Sequence, residues 1–247
     1  MRLSWLGAQP HQVKVFIAGN HDKCLSPGPE DGTDIQAYIA NVYPSLTYLC
    51  DSSTEVVIRG RSLRLYGSPW TPKHGNWVFQ YPRIPPQLPF QSSIDSTTSY
   101  DSGATIWSRI PTMTDVLVTH GPPFGHLDTY SQSAHAGCAA LSSALWHARP
   151  KLHVFGHIHS SRGVEVVTWG RAQRVYEEIC REEKGMGGVV MLAWWIAMEW
   201  LERWRWALAR GRSADTAKQG GSTQLVNAAS VAGLKDEKKM GACVVEI

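Results

Sequence analysis

Three short motifs, each directly after an apolar run, constrain this chain most. Gly19-Asn20-His21-Asp22 follows Val13 to Ala18, Thr119-His120-Gly121-Pro122-Pro123 follows Val116 to Val118, and Gly156-His157-Ile158-His159 follows Leu152 to Phe155. Short apolar runs closed by Gly, Asn or Pro read as buried strands that end in turns. A chain that repeats the pattern is expected to be an α/β fold, in which ligands collect outside the carboxyl ends of strands. A single histidine at a strand end is most often a packed or loop residue. Three such loops in one chain change that balance.

The residue types suit divalent metals. Imidazole favours zinc, iron and nickel, while carboxamide and carboxylate oxygens favour manganese and magnesium, so a mixed donor set points to a borderline hydrolytic ion. His157 and His159 are two apart and share a side on an ideal strand; at a strand end they can also splay toward adjacent ions. Gly19, Gly121 and Gly156 permit the tight turns that bring ligands close.

Further runs sharpen the picture: Ser68-Pro69-Trp70-Thr71-Pro72, Pro150-Lys151-Leu152-His153-Val154-Phe155-Gly156-His157 and Val226-Asn227-Ala228-Ala229. With the three motifs in this order, the chain resembles the calcineurin-like metallophosphoesterase superfamily, and within it the class III phosphodiesterase-like, metallophosphoesterase-domain-containing branch. The similarity runs over Trp5 to Arg171 and Gln224 to Ile247. It implies an α/β/β/α sandwich and two divalent ions, drawn from manganese, iron or zinc. By the same resemblance Asn20, His120 and His157 ligate one ion and His159 the other. His21 is then the general acid that protonates the leaving alkoxide, a role worth about a hundredfold to ten-thousandfold in rate. Asp22 either holds that imidazole or is a solvated loop carboxylate. The implied activity is metal-dependent hydrolysis of a small phosphoester.

Two earlier motifs of the superfamily, Asp-x-His and Gly-Asp, do not occur in the sequence, and only eighteen residues precede Gly19. The chain thus resembles a family member lacking its first βαβ portion. The expectation is an N-terminally truncated sandwich with exposed sheet surface and unpaired strand edges. With His159 as its sole recognised ligand, one ion's site is incomplete, since such sites usually need three or four protein ligands. The alternative to an enzyme is therefore a catalytically silent module for interaction or membrane association. His153 is expected in the core, because strand alternation sets it among the inward positions.

A chain of 247 residues is long enough for one sizeable core. The formal charge of +3 gives no nucleic-acid-binding signal. Five cysteines with no C-x-x-C pair fit a reducing compartment, and no signal peptide is evident, so the expected address is cytoplasmic.

The expected domain comprises residues 1–171 and 224–247, with an insertion and linker at 172–223. Leu63 to Tyr66 reads as a strand, Ala136 to Trp146 as a helix and Cys243 to Ile247 as a closing strand. Lys73 to Arg109 is loop-like, with a Pro/Ser/Gln/Thr-rich stretch from Pro82 to Ser102 that suits a lid. Trp70 and Trp77 read either as pocket lining or as packing. In the insertion, Ala172, Val175, Tyr176 and Ile179 recur at helical spacing. Ten apolar residues, Val189 to Met198, then lead into a Trp- and Arg-rich run to Trp206. That run falls short of the roughly 18 to 20 residues that span a bilayer. It leaves three readings: packing on the domain, self-association, or membrane-surface contact through 189–206. Gly211 to Ser222 reads as a flexible linker, and Asn227 as structural.

Overall fold

The computed structural model describes residues 3–26, 34–83, 103–131, 134–210, 221–232 and 238–247. The chain forms a mixed α/β fold. In order, its strands are β1 (Val15–Phe16), β2 (Thr47–Tyr48), β3 (Ser52–Ile58), β4 (Arg61–Ser68), β5 (Thr71–Pro72), β6 (Gln80–Tyr81) and β7 (Val116–Thr119), followed by β8 (Thr129–Ser131), β9 (Ala134–His135), β10 (Leu152–Phe155), β11 (Gly163–Thr168), β12 (Ser222–Asn227), β13 (Val231–Ala232) and β14 (Lys238–Lys239). The helices are α1 (Leu3–Gly7), α2 (Ile35–Val42), α3 (Gly103–Trp107), α4 (Ala139–Ala148), α5 (Arg171–Cys180) and α6 (Met186–Arg210).

A six-stranded sheet in the order β11–β12–β10–β7–β4–β3 forms the centre. Its inner strands β4, β7, β10 and β12 are parallel, and antiparallel β3 and β11 close the two edges. Inner parallel strands are covered on both faces, which explains their continuous apolar runs. On β7 and β12 the alternation sorts side chains cleanly: Leu117 and Leu225 enter one cluster with Trp107, Leu141 and Leu145. Val116 and Val226 enter the opposite one with Leu49, Leu65 and Leu152. His153 is in register with Leu117 and its ring lies tilted 4.9 Å from that of Phe155, so its fully buried ring belongs to the core.

The first strand pairs with β2 as a separate parallel ribbon, and Ile39 of α2 packs with Phe16 and Tyr48 beneath it. This ribbon lies tightly on the sheet at Gly67, where a Cβ would come within 2.5 Å of Leu49 and 2.8 Å of Ile17.

Four expectations are met by β4, β7, β10 and α4. The closing strand is not: residues 241–247 carry no strand. The edge strands of the central sheet are β3 and β11, and the tail packs Cys243 and Val245 onto the Val116–Leu152–Val226 cluster, against a face of the sheet and not along an edge. The Lys73 to Arg109 stretch is not all loop either, because β6 and α3 lie in it; Ile106 and Trp107 are buried and Trp107 Nε1 donates to Tyr81 Oη at 2.9 Å. Of the proposed lid, Pro82 to Ser102, residues 84–102 lie outside the described residues, as do residues 211–220 of the proposed linker Gly211 to Ser222, whose last residue opens β12. The Trp-rich run is part of one 25-residue helix, α6, and no helix among the described residues is long and apolar enough to cross a membrane.

Candidate active site

The loops after β1, β7 and β10 converge. Asn20 is buried, and its Oδ1 meets His120 Nε2 at 2.9 Å. The His120 and His157 rings lie 4.6 Å apart. Backbone bonds lock the strand ends together: Gly156 N donates to His120 O at 3.0 Å, and His120 N to Ser68 O at 3.3 Å. Gly19 is required by a close approach, since a Cβ there would stand 2.7 Å from His120 Cε1. His157 adopts a left-handed backbone with φ 67°, costly for a residue with a Cβ and characteristic of constrained functional positions.

The local electrostatics favour neutral imidazoles. Burial pushes His120 down to about 3, and the neighbouring His157, His21 and His159 push the same way. Burial likewise brings His157 to about 4, helped by His74, His159, Arg83 and His21. A neutral ring is the form that can donate a lone pair to a metal.

His21 is exposed and lies against Trp77, with ring centroids 4.1 Å apart. Trp77 thus belongs to the site's rim. Trp70 is a packing residue: its Nε1 donates to Asp51 Oδ2 at 2.8 Å and its ring meets Phe79 edge-on at 5.9 Å. Asp22 Oδ2 accepts from Gly19 N at 2.8 Å, while Asp22 N donates to Gly19 O at 3.0 Å, closing the loop that carries Asn20 and His21. His159 is half-buried on a short 3-10 turn, His159–Ser161, one residue beyond Ile158.

Of three further contributors, His74 and Arg83 carry no local sequence signal, while Asn227 stands in the Val226–Ala229 run that reads as structural. His74 and Arg83 face His157, and Arg83 is anchored by both terminal nitrogens on Ala136 O at 3.1 and 3.2 Å. Asn227, fully buried on β12, clamps the ligand loop by donating from Nδ2 to Ile158 O at 2.9 Å and to Leu127 O at 3.1 Å.

The donors Asn20, His120 and His157 fit one divalent ion in type and convergence. Among the described residues no group of three or more His, Cys, Asp and Glu side chains is placed to hold a metal ion, so a site here would draw on the Asn20 carboxamide beside the two imidazoles.

Comparison with known proteins identifies the family. The calcineurin-like phosphoesterase family matches residues 2–161. The chain is 40% identical, over its whole length, to 21% of a protein of Emericella nidulans named probable rhamnogalacturonate lyase C. It is 34% identical to metallophosphoesterase domain-containing protein 1 of Homo sapiens over 65% of this chain and 48% of that one. A UPF0046 protein of Caenorhabditis elegans is 33% identical over 64% of this chain and 54% of its own. The chain therefore spans about a fifth of the first relative and about half of the other two. With well over half of its length matched by the family and the imidazole loops at the expected strand ends, the chain belongs to the calcineurin-like phosphoesterase family.

Proposed function

We propose that this strand-end cluster serves metal-dependent hydrolysis of a small phosphoester, and that the 247-residue chain by itself turns over little or no phosphodiester. The observation that carries the first half is the meeting of Asn20 Oδ1 with His120 Nε2 at 2.9 Å, with the His157 ring 4.6 Å from that of His120. Asn20, His120 and His157 would hold one divalent ion, manganese, iron or zinc, and His159 would contribute to a second. When bound, such ions supply Lewis acidity and a hydroxide nucleophile at neutral pH.

The chain's own side chains do the rest. His21, exposed beside Trp77, is positioned to give its proton to the leaving alkoxide. The Trp77 ring limits how that imidazole turns. Arg83, on the His157 side, offers positive charge to an anionic phosphoryl group. Asp22 holds the loop in which His21 sits.

The second half rests on the donor set. The sequence has neither Asp-x-His nor Gly-Asp, and the described residues gather no carboxylate-bearing cluster for a second ion. This same observation favours the second reading, a silent interaction module. Both are tested with bis-p-nitrophenyl phosphate and manganese, comparing the chain, its His157→Ala variant and a chimera extended by a family segment carrying both motifs. Low turnover by the chain and robust turnover by the chimera, lost with His157→Ala, is expected. Robust turnover by the unextended chain refutes the second half. An inactive chimera that still binds manganese favours the silent module. Calorimetry with manganese checks the ligands separately: His120→Ala should weaken binding tenfold or more, about 1.4 kcal/mol.

A further inference from the structure

Helix α6 is held on one side only. Arg171 lies over the Trp195 ring at 4.5 Å, and Glu199 Oε1 accepts from Ala172 N at 3.4 Å, capping the start of α5. The other side faces outward. Val190, Trp194, Ile196, Trp200, Leu201 and Trp204 are each between 47% and 69% exposed. Positions 190, 194, 197, 201 and 204 follow helical spacing and form one apolar stripe. An outward stripe with Trp194 and Trp204, flanked by the exposed Trp200, is not what a solvated helix carries.

Cations line the groove where α6 meets α5. The Trp194 ring meets Trp195 edge-on at 4.5 Å, and Trp195 lines an open groove of about 500 Å³ that also takes in Arg149, Arg171, Arg174 and Lys184. The groove's one carboxylate, Glu178, pairs with Lys184 at 3.5 Å. Among the described residues no carboxylate forms an ion pair with Arg149, Arg171 or Arg174. The groove lies at the opposite end of the sheet from the imidazole loops, because Trp169 follows Thr168, which pairs with Ser222 at the start of β12, whereas Asn227 at the end of β12 pairs with Phe155 just before His157.

We propose that α6 docks on the surface of an anionic bilayer, its apolar stripe entering the boundary between headgroups and acyl chains while the neighbouring arginines engage lipid phosphates. Charge decides between the candidate occupants. An isologous contact between two copies would bring two such unpaired arginine clusters to one interface, where like charges repel. An anionic lipid surface complements them. Indole rings favour the wet edge of a bilayer, and a helix with an apolar face and a basic flank lies in its plane. The helix does not meet the requirements of a span.

The test is co-sedimentation of the full chain with vesicles of phosphatidylcholine alone and of phosphatidylcholine with about one-third phosphatidylserine, beside sedimentation velocity without lipid. Binding to the anionic vesicles at least about tenfold tighter than to the neutral ones, and largely lost in about 0.5 M NaCl, is expected. The exposed Trp194→Ser/Trp200→Ser/Trp204→Ser variant should lose binding about tenfold or more with an unchanged circular dichroism spectrum, and Arg171→Gln/Arg174→Gln should lose the preference for anionic lipid. The proposal is overturned by absence of binding to either vesicle, by equal binding to both, or by wild-type binding of the tryptophan variant. It is also overturned by a lipid-independent oligomer that the tryptophan variant dissolves, which would assign the stripe to a second copy.

Discussion

A buried histidine away from the imidazole loops should make the stability of this chain fall on the alkaline side. His126 is 2% exposed, and its Nδ1 stands 2.9 Å from Glu165 Oε1 on β11 while its Nε2 is 3.7 Å from Glu177 Oε1 on α5. Burial disfavours the imidazolium, but the two carboxylates more than offset this and hold the ring at about 9. Against the ordinary 6.5, that preference is worth about 3 kcal/mol to the folded state, from about 1.4 kcal/mol per tenfold change in proton affinity. The sign follows from linkage. A group whose native value is raised contributes fully below pH 6.5 and loses its contribution as the pH climbs through about 9. Gln173 Nε2 donates to Glu177 Oε1 at 3.0 Å and stands 3.0 Å from His126 Nε2.

The assay is urea unfolding at several pH values between 6 and 9.5, for the wild type and for His126→Met/Glu177→Gln. This pair removes the titrating cation without leaving a bare buried carboxylate, whose desolvation would be costly. Wild-type stability should drop by about 3 kcal/mol over that range, a large part of the roughly 5 to 15 kcal/mol typical of domains. The variant should keep only the shallow slope of the remaining groups. A flat wild-type profile, or an equal drop in the variant, would show that His126 is neutral in the native state.

Three further outcomes follow from particular contacts. Gly19→Ala places a Cβ 2.7 Å from His120 Cε1, so the ring must retreat by roughly 0.7 Å to reach a 3.4 Å contact. Metal sites tolerate about 0.2 Å, so manganese affinity measured by calorimetry should fall tenfold or more while the melting temperature changes little. Asn227→Ala strips partners from the carbonyls of Leu127 and Ile158 and from Ala229 N, all fixed by one buried amide. It should cost roughly 3 kcal/mol in urea unfolding and weaken metal binding together, because Ile158 lies between His157 and His159. Glu199→Ala removes the side-chain acceptor at the start of α5 and should cost about 1 kcal/mol, seen as faster amide exchange at Ala172.

How far the sequence reads depends on whether a feature is local. The strand at Leu152 to Phe155 and the helix preceding it were legible because periodicity and flanking Gly or Pro act within a few residues. The closing strand was not, because Cys243 to Ile247 has strand composition but is held by the packing of Cys243 and Val245 on the sheet's face, which no local pattern records. Within the site, Asn20, His120 and His157 announced themselves by motif. Arg83 and His74 did not: they reach His157 from more than seventy residues away, through a segment whose composition reads as loop. The His126 network is hidden for the same reason, since Glu165 and Glu177 lie on β11 and α5 and nothing near His126 in sequence identifies them. The Trp-rich run reads as apolar in sequence, but only packing reveals which of its tryptophans are left outward.

The role of Asp22 separates two accounts of the first loop. If the carboxylate acts as a charge on His21, Asp22→Asn and Asp22→Ala should do equal harm. If it acts by closing the turn, the two should differ, because an asparagine Oδ1 can still accept from Gly19 N where Asp22 Oδ2 now does at 2.8 Å. The return bond from Asp22 N to Gly19 O, at 3.0 Å, is backbone and survives either change. What alanine loses is the anchor that keeps Gly19 drawn in, and with it the placement of Asn20 Oδ1 against His120. One hydrogen bond in a partly buried turn is worth up to about 1.5 kcal/mol, about tenfold in an affinity that depends on the turn. Manganese calorimetry on the three proteins should therefore give near-equal affinities for wild type and Asp22→Asn, and one about tenfold weaker for Asp22→Ala. Weakening by Asp22→Asn to the level of Asp22→Ala would sink the turn account and return the carboxylate to an electrostatic role.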